Sequence, residues 1–334
     1  MIGVMRFLFA LGVIAQHLNW PFNPNSGLIS VFGFYTVSGY LITRVLDTTY
    51  RANILPFLVN RALRIYPAYL VAMLFGLGIG LIMGGTPLNP AIAIPDSFDA
   101  WIRQVGIFGL LPLAGVGGYP IRLVPPAWSL NMELTWYLMM IPLSRRVGLW
   151  LAASICIAAA LINRGDSGHV YYAYYGPSLC FALGAAVYRF RLKLSKAHII
   201  PAFSALLLLV VAADIYGASA WLLYASSAAT AYALSCADFR SSRFAKADQR
   251  MGDLAYPMFL CHWHVAALFG SQPGWPLLLT SLPAIIGVSA LMVVAIERPM
   301  ETIRKLVRPR GSAGRWPPVS GAPNSEAQAT QAPL

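Results

Sequence analysis

Met1–Asn19, MIGVMRFLFALGVIAQHLN, is an apolar run of helical length that carries two ionisable side chains, Arg6 and His17. Eleven helical positions at ~100° each make three turns plus ~20°, so both side chains leave the same face, ~16 Å apart along the axis. Ala10 and Val13 lie on the stripe between them. Ionisable groups inside a membrane helix are costly to desolvate and face a bundle interior or a wet cavity. This stretch therefore predicts a helical bundle built around it.

The remaining composition agrees. Of 334 residues, 58% are hydrophobic and 11% charged, where a soluble domain carries about 25% charged residues. Mean hydropathy is +0.63. The net charge of +12 would suggest nucleic acid in a soluble protein, but the basic residues sit in short segments between apolar runs, with no basic stripe interleaved with aromatics. Nucleic acid is excluded as a partner, and the lipid bilayer takes its place. Cys156, Cys180, Cys236 and Cys261 fall inside apolar runs without CxxC spacing, which predicts small core residues and no metal site. No charged segment precedes the first run and no A-x-A site follows it, so a cleavable signal peptide is not expected.

Ten runs approach the ~20 residues that cross a bilayer as helix. They lie at 2–18, 29–46, 67–84, 127–143, 147–163, 171–188, 198–216, 218–236, 252–270 and 275–296. The expected fold class is an all-α polytopic membrane protein of about ten transmembrane helices. With the N-terminus inside, 20 basic residues fall in inner segments, against Arg103, Arg122 and Arg164 outside. The positive-inside rule then gives an N-in, C-in, multi-pass protein of the plasma (inner) membrane.

Three segments are not expected to span. Residues 86–126 form the longest outer loop, whose apolar piece Trp101–Ala114 is too short to cross and reads as an interfacial segment or lid. Residues 52–66 read as an amphipathic interfacial helix feeding a third span that begins at Pro67. The tail, 309–334, is rich in Pro, Gly, Ser, Ala and Gln and is expected to be a disordered cytoplasmic extension. Residues 1–308 form one membrane domain, with no internal repeat and no soluble domain.

Orientation converts sequence position into depth. Arg6 lies toward the inner side and His17 within about a turn of the outer surface. The fourth span enters from outside through Pro125-Pro126, so Glu133 is expected ~9 Å below the outer face, with Ser129, Glu133 and Tyr137 on one side of the helix. Glu133 and His17 then share the outer half of the membrane, where pairing would relieve both. A carboxylate beside an imidazole fixes its tautomer and raises its basicity, as proton abstraction from a hydroxyl requires. The alternative is a snorkelling His17 and an unrelated packing role for Glu133. Arg61 and Arg64, at i and i+3, present two guanidinium forks at the inner mouth, toward which Arg6 also points. Three arginines suit a phosphorylated ligand; topogenic charge and contact with anionic lipid are the alternatives.

These residues resemble a known family. Arg6 and His17 are similar to the R-x10-H signature of the acyltransferase-3 family of membrane acyltransferases, and Phe34-Tyr35-Thr36-Val37-Ser38-Gly39-Tyr40-Leu41-Ile42-Thr43 resembles its FFxxSGFLIT stretch. Arg61-Ala62-Leu63-Arg64-Ile65-Tyr66-Pro67 resembles R-x-x-R-I-x-P, and Trp128-Ser129-Leu130-Asn131-Met132-Glu133 with Tyr137 resembles WSLxxExxxY. Gly252-Asp253-Leu254-Ala255-Tyr256 followed by Leu260-Cys261-His262-Trp263 is similar to G-x-x-S-Y…YLxHW, and Glu297-Arg298-Pro299 to a closing E-x-P.

The resemblance implies an O-acyltransferase that takes an acyl group, usually acetyl, from cytoplasmic acyl-CoA to a hydroxyl of a carbohydrate or other exported acceptor, free or lipid-linked, as in exopolysaccharide O-acetylation. Carried over residue by residue, His17 is the catalytic base or transient acyl carrier and Glu133 its partner. Arg6, Arg61 and Arg64 bind the donor acetyl-CoA, with Ser38 and Gly39 lining the passage. Tyr137, Trp128, Tyr256 and His262 are candidates for the acceptor pocket. An extended pantetheine arm of ~15 to 20 Å would bridge Arg6 and His17.

The chain departs from the family pattern at Ala255, where Ser is usual, and at His264, where Pro is expected. His262 and His264 point about 200° apart on a helix, which does not suit chelation of one metal. No SGNH-type hydrolase domain is expected. A glycan or lipid transporter or flippase without acyl chemistry is the alternative class, but such proteins often show inverted repeats. Another membrane-bound O-acyltransferase architecture would predict neither the Arg6–His17 spacing nor Arg61-x-x-Arg64.

Overall fold

The computed structural model describes residues 1–18, 25–50, 53–83, 88–107, 121–165, 167–236 and 244–309. The tail beyond 309, Arg51, Arg240, Arg243 and residues 108–114 of the outer apolar piece lie outside the described residues. Among those described, every regular element is helical. The helices are α1 (Ile2–His17), α2 (Ser26–Val45), α3 (Ile54–Met83), α4 (Phe98–Gly106), α5 (Ala127–Leu143), α6 (Val147–Asn163), α7 (Ser167–Tyr172), α8 (Ser178–Arg189), α9 (Ile199–Tyr216), α10 (Ala220–Ser235), α11 (Ala245–Ala267), α12 (Trp275–Met292) and α13 (Arg298–Val307). Two short π-helical segments, Leu46–Tyr50 and Val293–Glu297, continue α2 and α12. Among the described residues, four stretches are long and apolar enough to cross a membrane: Ser26–Tyr50, Ile54–Met83, Lys196–Tyr216 and Trp275–Val307. Helix α9 turns Leu207, Leu208 and Ile215 outward, an apolar face of the kind that hydrocarbon covers.

Three expectations about segments need correction. Residues 52–66 are not a separate interfacial helix: α3 runs unbroken through Pro67 from Ile54 to Met83. At 1.5 Å per residue its 30 residues reach ~45 Å, half as long again as the hydrocarbon core of a bilayer. Proline starts helices well, which suggested a boundary, but long packed helices tolerate it inside. The run 171–188 is broken into α7 and α8 by a turn at Gly176-Pro177. Side chains from neighbouring helices satisfy the backbone there: Tyr224 Oη donates to the Gly176 carbonyl at 2.8 Å and Trp136 Nε1 to the Tyr174 carbonyl at 2.9 Å. Helix α11 begins at Ala245, about two turns before the expected 252.

Helices α1 and α11 lie side by side in parallel. Gly3 meets Gly252 at one end and His17 meets His262 at the other. A Cβ on Gly3 would overlap the Asp248 carbonyl oxygen, and one on Gly252 would sit 2.8 Å from Gly3 Cα, so these glycines allow backbone to touch backbone. Asp248 caps the contact: its Oδ1 accepts the Val4 N–H at 2.9 Å, at the positive end of α1. Burial alone would push this carboxyl up, but the hydrogen bonds it accepts from the α1 N-terminus, the Met1 ammonium foremost, hold it below the ordinary carboxylate value.

Helix α2 packs against α1, α8 and α10 and supplies the buried centre, with Phe32, Tyr35, Val37 and Ile42 all 2% exposed or less. The segment before α5 does not run over a surface. Leu123, Val124 and Ala127 are fully buried. Gln104 of α4 holds this segment, accepting the Leu123 N–H at 3.1 Å and donating to the Ile121 carbonyl at 2.7 Å. Tyr69 of α3 in turn donates to the Gln104 carbonyl at 2.6 Å, which ties α4 and the segment after it to α3.

Candidate active site

Three helices bring charge, and a fourth a hydroxyl, to one cavity of about 130 Å³. Arg6 enters from α1, Ser38 from α2, Arg61 and Arg64 from α3, and Glu133 with Tyr137 from α5; Phe34, Leu41, Ile42, Leu130 and Phe259 supply apolar wall. The i, i+3 spacing of Arg61 and Arg64 puts both guanidiniums on the cavity side of α3. Thus the expected convergence of Arg6, Arg61 and Arg64 is present. Each arginine has a different setting. Arg64 is ion-paired with Glu297, which is 8% exposed, and its guanidinium lies 5.9 Å from the Tyr256 ring centroid. Arg61 donates to Asn60 Oδ1 at 3.2 Å and lies over Phe57, while its buried Nε has no hydrogen-bond partner among the described residues. Arg6 feels the charges of Arg64, Glu133 and Glu297.

Glu133 is the hub of the carboxylate side. Its Oε1 accepts from Ser38 Oγ and its Oε2 from Tyr137 Oη, both at 2.9 Å. The lining carries three guanidiniums against the one carboxylate of Glu133, with Glu297 outside it as the ion partner of Arg64. Such a balance favours an anion, and the planar forks favour phosphate oxygens.

The far end of α1 carries a different arrangement. His17 Nδ1 lies 2.8 Å from His262 Nε2, with the two ring planes 12° apart and 5.1 Å between centroids. Trp263 lies at 5.1 Å from His17 as well. On its other nitrogen, His262 Nδ1 is 2.9 Å from the Phe259 carbonyl. His264 points elsewhere, as its position two residues on requires, and bonds the Leu123 carbonyl through Nε2 at 2.6 Å. No group of three or more His, Cys, Asp or Glu side chains that could hold a metal occurs among the described residues.

The expected pairing of Glu133 with His17 is therefore not present: Glu133 belongs to the arginine cavity and His17 to His262. The depth count assumed that Pro125 stands at the membrane face. Instead Leu123 touches His264, next to the histidine pair, so α5 starts at the level of His17. Six residues later, ~9 Å along the axis, Glu133 has moved toward Arg6. Nor do the four acceptor-pocket candidates share one place. Tyr137 and Tyr256 line the arginine cavity; Tyr256 Oη donates to the Ile65 carbonyl at 2.9 Å. His262 is fully buried beside His17, and Trp128 packs on Tyr171 and Tyr172, at 4.9 and 5.3 Å between centroids. Ser38 lines the cavity, but Gly39 faces α8, where a Cβ would overlap the Phe181 carbonyl.

Two site residues escaped the sequence reading. Glu297 figured only as part of a closing motif, although a carboxylate at the end of an apolar run signals a buried cation nearby. Asn60, one residue before Arg61, is fully buried and joins α3 to α13, donating from Nδ2 to the Arg304 carbonyl at 3.0 Å and accepting from Arg304 Nε at 3.2 Å.

A family model described as an acyltransferase domain, acyltransferase-3, matches residues 2–296. No curated protein and no solved structure matches the chain.

Proposed function

The chain belongs to the acyltransferase-3 family of membrane acyltransferases, and on that premise we propose that it moves an acyl group, acetyl foremost, from cytoplasmic acyl-CoA to a hydroxyl of an exported carbohydrate. The observation that carries this reading is the separation of two chemistries along α1: a cationic cavity around Arg6 and an imidazole at His17, eleven residues on. Ten spans in an N-in, C-in arrangement within the inner membrane complete the proposal, with the arginine cavity opening inward.

Arg6, Arg61 and Arg64 take the donor's phosphates, and the unpartnered Nε of Arg61 is a donor held ready for one of them. Glu133, fixed by Ser38 and Tyr137, offsets Arg6 and Arg61 so that the empty cavity does not carry three uncompensated charges. The pantetheine arm runs along α1 and delivers the thioester to His17. There the imidazole takes the acceptor's hydroxyl proton as the oxygen attacks the carbonyl carbon; the C–S bond breaks, and the proton passes to the departing thiolate. Ester and free CoA are the products. Membranes from expressing cells, given radiolabelled acetyl-CoA, are expected to label an envelope acceptor with wild-type protein and not with His17→Ala. Label retained in the variant, or absent from the wild type, refutes the proposal.

A further inference from the structure

The hydrogen bonds around His262 have directions that follow from chemistry alone. A carbonyl oxygen only accepts, so the 2.9 Å contact of Phe259 with His262 Nδ1 requires a proton on Nδ1. The described partners of His262 are backbone carbonyls, His17 and Trp263, none of them an anion, and the side chain is fully buried. A second proton would leave an uncompensated charge there, so the imidazole is neutral and Nε2 holds a lone pair. That lone pair faces His17 Nδ1 at 2.8 Å. A bond between two ring nitrogens needs one proton, and only His17 can supply it. His17 is thereby fixed with its proton on Nδ1 and its lone pair on Nε2, the opposite of the tautomer that a histidine free in water prefers.

We infer that His262 is a positioning residue for His17. It selects the Nδ1–H tautomer and, with Trp263, the ring plane, so that Nε2 is the proton-accepting atom of the transfer. This rests on the reading of His17 as the base. The arrangement also serves the charged intermediate. When Nε2 takes the hydroxyl proton, Nδ1–H still donates to His262, and that bond strengthens as His17 becomes cationic. When Nε2 returns the proton to the thiolate, the pair is restored. No carboxylate takes part, which accounts for the distance of Glu133 from this end of α1.

The test has two arms. Full-length protein labelled with 15N-histidine in lipid bilayers, with the His17 signals identified by their absence in His17→Asn, is expected to show Nδ1 protonated and Nε2 bare at pH 7.5. His262→Leu moves the proton to Nε2, whereas His262→Gln, whose side-chain carbonyl accepts the same N–H, keeps it on Nδ1. A wild-type His17 protonated on Nε2, or a tautomer indifferent to His262→Leu, overturns the inference. In the second arm, CoA release from acetyl-CoA by membranes is expected to fall about 100-fold in kcat for His262→Leu at unchanged KM for the donor, as loss of an orienting partner does, with about tenfold recovered in His262→Gln. Equal losses in the two variants count against positioning. If the wild type releases no CoA, the acyl-transfer reading fails while the nitrogen spectrum still decides the histidine pair.

Discussion

Arg64 of α3 and Glu297, the last residue of the π-helical segment after α12, form an ion pair at the cavity that Arg6 and Arg61 also line. The pair joins the third helix of the chain to its last membrane helix, and Asn60 repeats the connection one turn earlier through Arg304. Its two members are unequal in exposure, 21% for Arg64 and 8% for Glu297. Removing the carboxylate leaves a largely buried guanidinium without its counter-charge. Glu297→Gln is therefore expected to destabilise the fold by about 2 to 4 kcal/mol, while the double change Arg64→Met with Glu297→Leu costs less than Glu297→Gln alone. Thermal unfolding of the purified protein in one detergent compares the three.

Cavity charge sets donor affinity. Arg6→Ala and Arg61→Ala each remove a cation and are expected to weaken CoA binding by tenfold or more, whereas Glu133→Gln removes an anion and strengthens it by several-fold at low salt. Turnover falls in all three. Titration of CoA at two ionic strengths measures this, and weaker binding by Glu133→Gln would show that the carboxylate does more than offset charge.

The glycine contact between α1 and α11 is intolerant of a side chain. Gly3→Val has no flexible neighbour to displace, because the obstacle is the backbone carbonyl of Asp248. The helices must part, which costs about 1 to 3 kcal/mol as overpacking does. Because Arg6 and His17 ride on α1, both the cavity and the histidine pair widen, and activity is expected to fall more than CoA affinity does. Gly78, with nothing near its Cβ position, is the control: Gly78→Ala is expected to be neutral or slightly stabilising by the same thermal assay.

Asp248 contributes through its charge at the α1 N-terminus. Asp248→Asn keeps an acceptor but loses the charge, for an expected cost of about 0.5 to 1 kcal/mol. The folded carboxyl lies below its ordinary value, so this contribution is complete above the unfolded value of about 3.9 and is lost as pH falls through the lower folded value. The variant's deficit in melting temperature is expected to be constant from pH 5 to 7 and to shrink below pH 4.

The helices were legible because lipid imposes a length and proline and glycine punctuate it. Nine of the ten expected runs coincide with a helix or a helix with its continuation, two of them with earlier starts, although only four stretches among the described residues are long and apolar enough to cross a membrane; the tenth run, 171–188, is interrupted at Gly176-Pro177, a dipeptide that itself signals a turn. Arg61 and Arg64 could be placed together because i and i+3 share a face whatever the rest of the chain does. The partner of Glu133 could not. Depth was counted from an assumed surface at Pro125, and only the contact of Leu123 with His264, 141 residues away, reveals that the count begins inside the protein. His262 was equally hidden: its role depends on which carbonyl lies three residues back on its own helix and on a parallel neighbour 245 residues earlier in sequence.

The π-helical segment Val293–Glu297 has a consequence for how the chain can vary. A π turn accommodates one residue more than the α-helix around it, and so acts as an insertion that shifts the phase of everything after it by ~100°. The direction in which Glu297 leaves the helix, and the face that α13 turns toward Asn60, are thus set by counting residues rather than by side-chain preference. Winding the same residues as ordinary α-helix would swing Glu297 away from Arg64, whereas deleting one residue between 293 and 296 would let the turn close as α-helix with Glu297 still on the same face. Length and winding are coupled in this segment, so a residue lost from it is absorbed by the turn and not by the ion pair.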